Sequence, residues 1–259
     1  MIEMQAVITA AGLGTRMLPI SKEIPKEMLP IPNNGELKPI IQVIFEQLYD
    51  QGVREFIIVV SKSKRVIEDY FTPDYYFLEY LESEGKTKQA NSLKNFYKKI
   101  EESNIVFLTQ YEPKGFGDAV LRTEPYVRDE FLIVAADTIV YDLNIKLVVT
   151  NSFLVTEVED PRPYGVVIAD KDGKVIDVEE KPKVPKSNLI IVPYYYFDRR
   201  IFQALKEVKF EKELQLTDGI KNLIRKGVNF KAIKVNNVYD LGNFEGYVNY
   251  LKEQTNLKQ

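Results

Sequence analysis

The sequence predicts an α/β fold, a mostly parallel sheet flanked by helices, and three observations predict it. Short apolar runs rich in β-branched residues, such as Ala6-Val7-Ile8-Thr9 and Phe56-Ile57-Ile58-Val59-Val60, read as strands buried on both faces. Between such runs, apolar residues recur at helical spacing. The first run also ends in a glycine-rich stretch, Ala10-Ala11-Gly12-Leu13-Gly14-Thr15-Arg16-Met17-Leu18-Pro19. That is where an α/β sheet places backbone N–H groups around phosphates.

After the first strand, Pro19, Pro25, Pro30 and Pro32 interrupt the chain as far as Pro39, so the spacing predicts a long, extended, proline-stiffened loop and no compact helix. Ile41, Ile44, Phe45 and Leu48 then mark a helix, with Gly52 where its C-terminal cap belongs. The strand Phe56–Val60 follows, then a helix on Leu93, Phe96, Tyr97 and Ile100, then strands at Ile105–Leu108 and Phe131–Ala135. The second half is richer in strands, at Phe153–Val158, Gly165–Ala169, Val175–Glu179, Leu189–Phe197 and Asn229–Val235. Helices are expected near Arg199–Leu205, Leu216–Arg225 and Phe244–Leu251. The crossover from Asp137 to Phe153 is short, and Ile145, Leu147 and Val148 make no helical stripe, so either the helix there is reduced or the 138–152 segment is not the full native one. No Gly/Ser linker, composition break or internal repeat divides the chain, which predicts a single domain over 1–259.

Composition removes whole classes of function. A formal charge of −3 argues against a nucleic-acid surface, and no apolar run is long enough to span a bilayer. Met1-Ile2-Glu3-Met4 leads straight into the first strand without a secretory signal, so a cytoplasmic protein is expected. The chain has no cysteine and no histidine. Disulfides, thiolate chemistry and every histidine-dependent triad are thereby excluded. Carboxylates, amines, guanidinium groups and metal ions are left to do the chemistry. Transfer between phosphates suits that inventory, because the attacking phosphate oxygen is already ionised and needs no base.

The loop itself is neither of the two commonest phosphate binders. A P-loop needs lysine before Ser or Thr after its second glycine, and Gly14-Thr15-Arg16 lacks it. A dinucleotide fingerprint needs a third glycine where Met17 stands, followed by a helix that the prolines forbid. An NAD-dependent oxidoreductase fails on both counts. Instead the loop carries Arg16 and is followed by Lys26, two cations that can join the amides around a polyphosphate.

With Pro25-Lys26-Glu27-Met28-Leu29-Pro30 added, the stretch resembles the signature of the sugar-1-phosphate nucleotidylyltransferases, near G-x-G-T-R-x-L-P followed by P-K-x-M-L-P. Within that family the likeness is to bacterial and archaeal enzymes that couple UTP to glucose 1-phosphate. It extends in the family's order through Lys38-Pro39, Gln110, Lys114 to Val120, Asp137, Tyr164 to Val167, Glu180-Lys181-Pro182, Gln215 to Asp218 and Asp240 to Asn243. The resemblance implies a Rossmann-like mixed sheet of the nucleotide-diphospho-sugar transferase type. It implies a nucleotide-binding half over about residues 1–140 and a sugar-binding half with a C-terminal helix over about 141–259. It also implies a homo-oligomer, dimer or tetramer, with UTP and glucose 1-phosphate as partners and Mg²⁺ as cofactor.

Site residues follow from the same motifs. The resemblance assigns Ala11, Gly12, Gly14 and Thr15 to the nucleotide, and Gln110 with the Gly115 backbone to the pyrimidine. It casts Arg16 on the pyrophosphate, Lys26 on the α-phosphate, and Asp137 and Asp240 on Mg²⁺. Gly165 and Glu180 would meet the sugar, and Lys181 the sugar phosphate. Residue chemistry gives separate grounds for several of these. Fixed cations stabilise charge spreading onto phosphoryl oxygens. Asp137 closes a strand, at the edge where open α/β sheets gather ligands, which favours the metal role over the alternative of a helix cap. Alternation in Lys174–Glu180 puts Ile176, Val178 and Glu180 on one face. A carboxylate following two core positions needs donors, from sugar hydroxyls or from a structural ion pair. Gln110 offers both a donor and an acceptor to the imide edge of uracil or thymine, which leaves thymidylyl transfer from dTTP as an alternative. A non-catalytic sugar-nucleotide-binding protein is the other, and the joint retention of Arg16, Lys26, Asp137, Lys181 and Asp240 speaks against it.

Overall fold

The computed structural model describes residues 4–256; Met1, Ile2 and Glu3, expected to lead into the first strand, lie outside them. The first strand, β1 (Gln5–Ala10), is buried along its whole length. The proline-rich stretch after it is more folded than its prolines suggest. It winds into three single 3-10 turns, Thr15–Met17, Ile20–Lys22 and Lys26–Met28, and ends in a hairpin of β2 (Pro30–Asn33) and β3 (Glu36–Pro39). The hairpin turns at Asn34 and Gly35, with φ of 49° and 79°. This is the mirror-image turn that Asn-Gly favours, because its twist matches that of the paired strands.

Helix α1 (Ile40–Asp50) follows and buries Phe45, whose ring lies 4.7 Å from Phe56 and 5.2 Å from Phe71. Truncating that ring to alanine costs about 3–5 kcal/mol by the usual cavity argument. Next come β4 (Glu55–Ser61), α2 (Arg65–Tyr70), α3 (Tyr75–Ser83), α4 (Thr87–Glu101) and β5 (Asn104–Gln110). Helices α2, α3 and the short α5 (Phe116–Leu121) were not legible as amphipathic stripes. Asp74 starts α3 by accepting from the Phe77 N–H at 2.9 Å. After β6 (Glu130–Ala135), the short crossover holds β7 (Thr138–Val140) and one 3-10 turn at Ile145–Leu147, so the helix is reduced to a turn as its spacing suggested.

The rest of the chain contributes β8 (Ser152–Glu157), β9 (Gly165–Ala169), β10 (Val175–Glu180), β11 (Leu189–Asp198), α6 (Arg200–Lys206), α7 (Leu216–Arg225), β12 (Lys231–Lys234), β13 (Val238–Asp240) and α8 (Phe244–Asn256). A register shift between Val175 and Asp177 corrects the simple alternation expected of β10. Val175 and Val178 are buried, while Ile176 is 56% exposed, because the bulge turns it outward.

Among the described residues nine strands form one mixed sheet, ordered β10-β9-β11-β6-β1-β4-β5, with β8 on β11 and β12 on β8. Strands β6, β1, β4 and β5 run parallel, and β11 meets β6 antiparallel. Alternation along β1 sends Ala6, Ile8 and Ala10 to one face, against α1, α4 and Tyr250, and Val7 to the other, with α6 and α7. The chain leaves β1 toward β4 and β5, then returns to build β6 on β1's other side. The carboxyl ends of β1 and β6 therefore flank a topological switch point, the crevice where such sheets bind ligands.

Candidate active site

Two adjoining cavities, of about 400 and 480 Å³, open at that crevice. Every residue assigned above to the nucleotide, the sugar phosphate or the metal lines one or both, and Arg16, Asp137 and Lys181 line both. The first cavity is walled by the loop after β1. The N–H groups of Gly12, Leu13, Gly14 and Thr15 donate to no acceptor among the described residues, so they are free for an anion. Ser21 Oγ holds the loop's shape by donating to the Gly14 carbonyl at 2.7 Å.

Lys26 Nζ, from the third 3-10 turn, is hydrogen-bonded to Asp137 Oδ2, just past β6. Burial pulls the Lys26 ammonium down, but Asp137 and Glu27 outweigh it and hold the group above its ordinary value. Burial likewise pushes the Asp137 carboxyl up, and Lys26 with Arg16 outweighs that, so it lies below the usual carboxylate range. Both groups are charged in the resting fold. Arg16 Nη1 lies 3.4 Å from Asp240 Oδ2. Asp240 is paired with Thr138 across β13 and β7, which brings the second aspartate beside the first. Gly242 completes this corner. Its N–H donates to Asp240 Oδ1 at 2.9 Å, and a Cβ there would overlap Asp137 Oδ2 and lie 3.1 Å from Arg16 Nη2.

The second cavity lies on the antiparallel side of the sheet. Glu180 ends β10 opposite Gly165 of β9, and its Oε2 accepts from Thr217 Oγ1 at 2.9 Å. Lys181 Nζ stands 3.5 Å from Glu180 Oε1, and its backbone takes a φ of 42°, sparsely populated for a residue with a Cβ. The Lys181 side chain is exposed and free to reach. On the wall of the first cavity, Gln110 closes β5 and is 4% exposed. Gly115 has a φ of 97°, and a Cβ on it would lie 2.6 Å from the Leu214 carbonyl, so only glycine fits.

A profile described as Nucleotidyl transferase matches residues 5–256. The chain belongs to the nucleotidyl transferase family. It is 34% identical to the UTP–glucose-1-phosphate uridylyltransferase of Mycoplasma pneumoniae, covering 94% of this chain and 89% of that one. Its fold matches a crystal structure of UDP-glucose pyrophosphorylase complexed with UDP-glucose at a TM-score of 0.83, with 30% identity and 98% of each chain covered. A UTP-bound pyrophosphorylase from Acinetobacter baumannii matches at 0.84, with 26% identity over 97% of this chain and 93% of that one. Enzymes of the family generally use a divalent metal. No described helix of this nucleotidyltransferase is long and apolar enough to cross a membrane.

Several residues of the nucleotidyltransferase site escaped the sequence reading. Thr217, visible in the sequence only as part of the Gln215 to Asp218 motif, reaches Glu180 from α7. Lys64 is buried and bonds Ala10 O and both Glu27 oxygens, each at 2.8 Å, tying β1's end to the turn that carries Lys26. Burial drives the Lys64 ammonium down and the Glu27 carboxyl up, while their mutual attraction opposes both changes. No local pattern announces this pair, because the two residues are 37 positions apart. Leu214, whose carbonyl accepts from Gly117 N at 2.8 Å, also went unnoticed, since only backbone is used.

Proposed function

We propose that this nucleotidyltransferase joins UTP and glucose 1-phosphate into UDP-glucose and pyrophosphate. The observation that carries the reading is the meeting of two cavities at Arg16, Asp137 and Lys181. An amide-lined pocket for a triphosphate and a carboxylate-bearing pocket for a sugar open onto one charged junction, where the two phosphates would face each other. The family and the uridylyltransferase relatives support that choice of substrates.

In this scheme the free amides of Gly12 to Thr15, with Ala11 beside them, hold the triphosphate. Glu180 and Gly165 hold the sugar, and Lys181 aligns its phosphate. A phosphate oxygen attacks the α-phosphorus in line, forming a P–O bond as the bond to the β-phosphate oxygen breaks. Both electrons of that bond leave with pyrophosphate. Lys26 neutralises charge at the α-phosphate and Arg16 at the departing group, so catalysis rests on orientation and electrostatics. No protein proton is required, which suits a chain without histidine.

Asp137 and Asp240 are the residues that would hold Mg²⁺. Among the described residues no three His, Cys, Asp or Glu side chains cluster as a metal centre, but Mg²⁺ takes one or two carboxylates and completes its shell with phosphate oxygens and water. The fit is chemical: two hard oxygen donors face a corner that a Cβ at Gly242 would fill. When bound, the ion supplies charge neutralisation and orientation of the phosphates. The proposal includes a cytoplasmic homo-oligomer, in keeping with its soluble phosphate substrates and with the exposed aromatics Tyr76, Phe77 and Tyr80 on α3.

Pyrophosphate release across a grid of triphosphates and sugar 1-phosphates tests the function. UTP with glucose 1-phosphate is expected to lead. Preference for dTTP would move the assignment to thymidylyl transfer, and preference for ATP or GTP would remove it.

A further inference from the structure

The hydrogen bonds around Gln110 assign a sense to its amide. Nε2 donates to Asp118 Oδ2 at 2.7 Å and to the Gly115 carbonyl at 3.1 Å. An amide nitrogen has two hydrogens, so both donors are used. Turning the amide over would set its oxygen against a carboxylate and a carbonyl, neither of which can donate. Asp118 is itself held, because Arg122 Nε, one turn along α5, donates to the same Oδ2 at 2.8 Å. Gln110 Oε1 accepts from no group among the described residues, and Gln110 lines the nucleotide cavity. The expectation that this amide offers the base both a donor and an acceptor therefore narrows to the acceptor alone.

We propose that Asp118, backed by Arg122, is the positioning residue that sets base choice: it locks Gln110 so that only Oε1 faces the pyrimidine. This rests on the uridylyltransferase reading, in which Gln110 meets the base. Uracil presents an N3–H donor to such an acceptor. Cytosine presents a bare N3 lone pair, so two acceptors would confront each other with nothing to relieve them. A freely rotating glutamine could turn its NH₂ toward cytosine and accommodate it. The carboxylate at Asp118 removes that option without touching the nucleotide.

The test is the ratio of kcat/KM for UTP over CTP, measured with glucose 1-phosphate in the intact protein and its variants. Asp118→Ala is expected to narrow the ratio about 5- to 10-fold, mostly by raising use of CTP. Asp118→Asn keeps an acceptor for Nε2 and is expected to hold the ratio near that of the parent. Asp118→Leu, closer in volume, carries the same expectation as the alanine variant should that one fail to fold. An unchanged ratio in the alanine or leucine variant overturns the proposal, whatever happens to overall rate. Equal narrowing in Asp118→Asn overturns it too, because the accepting atom would then be irrelevant. A parent protein with no preference for UTP over CTP would instead overturn the base-reading role of Gln110 itself.

Discussion

The two sides of the crevice grip in different ways. The parallel side, at the ends of β1 and β6, presents backbone: four N–H groups from Gly12 to Thr15 without a partner among the described residues, with Lys26 and Arg16 added as charges. The antiparallel side presents side chains from strand and helix, with Glu180, Thr217 and Lys181 projecting from β10, α7 and the turn after β10. Backbone amides recognise any polyphosphate, and among substitutions only proline deletes one, so the parallel side is suited to charge, which is the same in every triphosphate. Side chains can be exchanged one at a time, so the antiparallel side is where a choice among sugars can be written. Under the proposed function, charge handling and the choice of base fall on the parallel flank, where Gln110 ends β5, and the choice of sugar falls on the antiparallel one.

Substitutions on the two flanks should then fail differently. The largest effect is expected at the junction, where Asp137→Asn should be folded and nearly inactive, and a chelator should abolish activity that Mg²⁺ restores; normal turnover at moderate Mg²⁺ would remove Asp137 from the required ligands. Next, Lys26→Ala should lower kcat by about 10²–10³, the loss typical of one preorganised charge-stabilising group. A change confined to KM would break the comparison at its strongest point.

Across the crevice, Lys181→Ala should raise KM for the sugar phosphate about 10-fold, with a smaller fall in kcat if it also aligns the attacking oxygen. If that variant weakens UTP and spares the sugar phosphate, the flanks have been drawn the wrong way round. The smallest effect is expected from Thr217→Val, which removes one donor to Glu180; initial-rate kinetics should show KM for the sugar phosphate rising about 5-fold with kcat nearly unchanged. A kcat loss as large as that of Lys26→Ala would place Thr217 with the rate-setting groups.

Legibility in the sequence follows the same divide. Strands β1, β4 and β6 declare themselves as continuous apolar runs, because a central parallel strand is buried on both faces. The loop residues are legible because their chemistry is local, with glycines, Arg16 and Lys26 lying within one stretch. The hairpin at Asn34-Gly35 carried its own signal, hidden among prolines that argue for extended chain. Strand β10 misled, since a bulge changes which residues face inward and no periodicity marks where it falls. Thr217, Lys64 and Asp118 were out of reach for a different reason. Their importance lies in whom they touch, and Glu180, Glu27 and Gln110 are brought to them only by the fold.

One feature of the chain path has a bearing on synthesis. Arg16 and Asp240 are 224 residues apart, yet they meet at the junction, and Tyr247 and Tyr250 of α8 hold the carbonyls of Pro30 and Pro32 at 2.7 and 3.2 Å. A growing polypeptide contains the glycine-rich loop well before Asp240 and Gly242, which follow the last strand of the main sheet, β12. The junction therefore closes only after the chain has been made through Gly242, whatever the earlier strands have already paired.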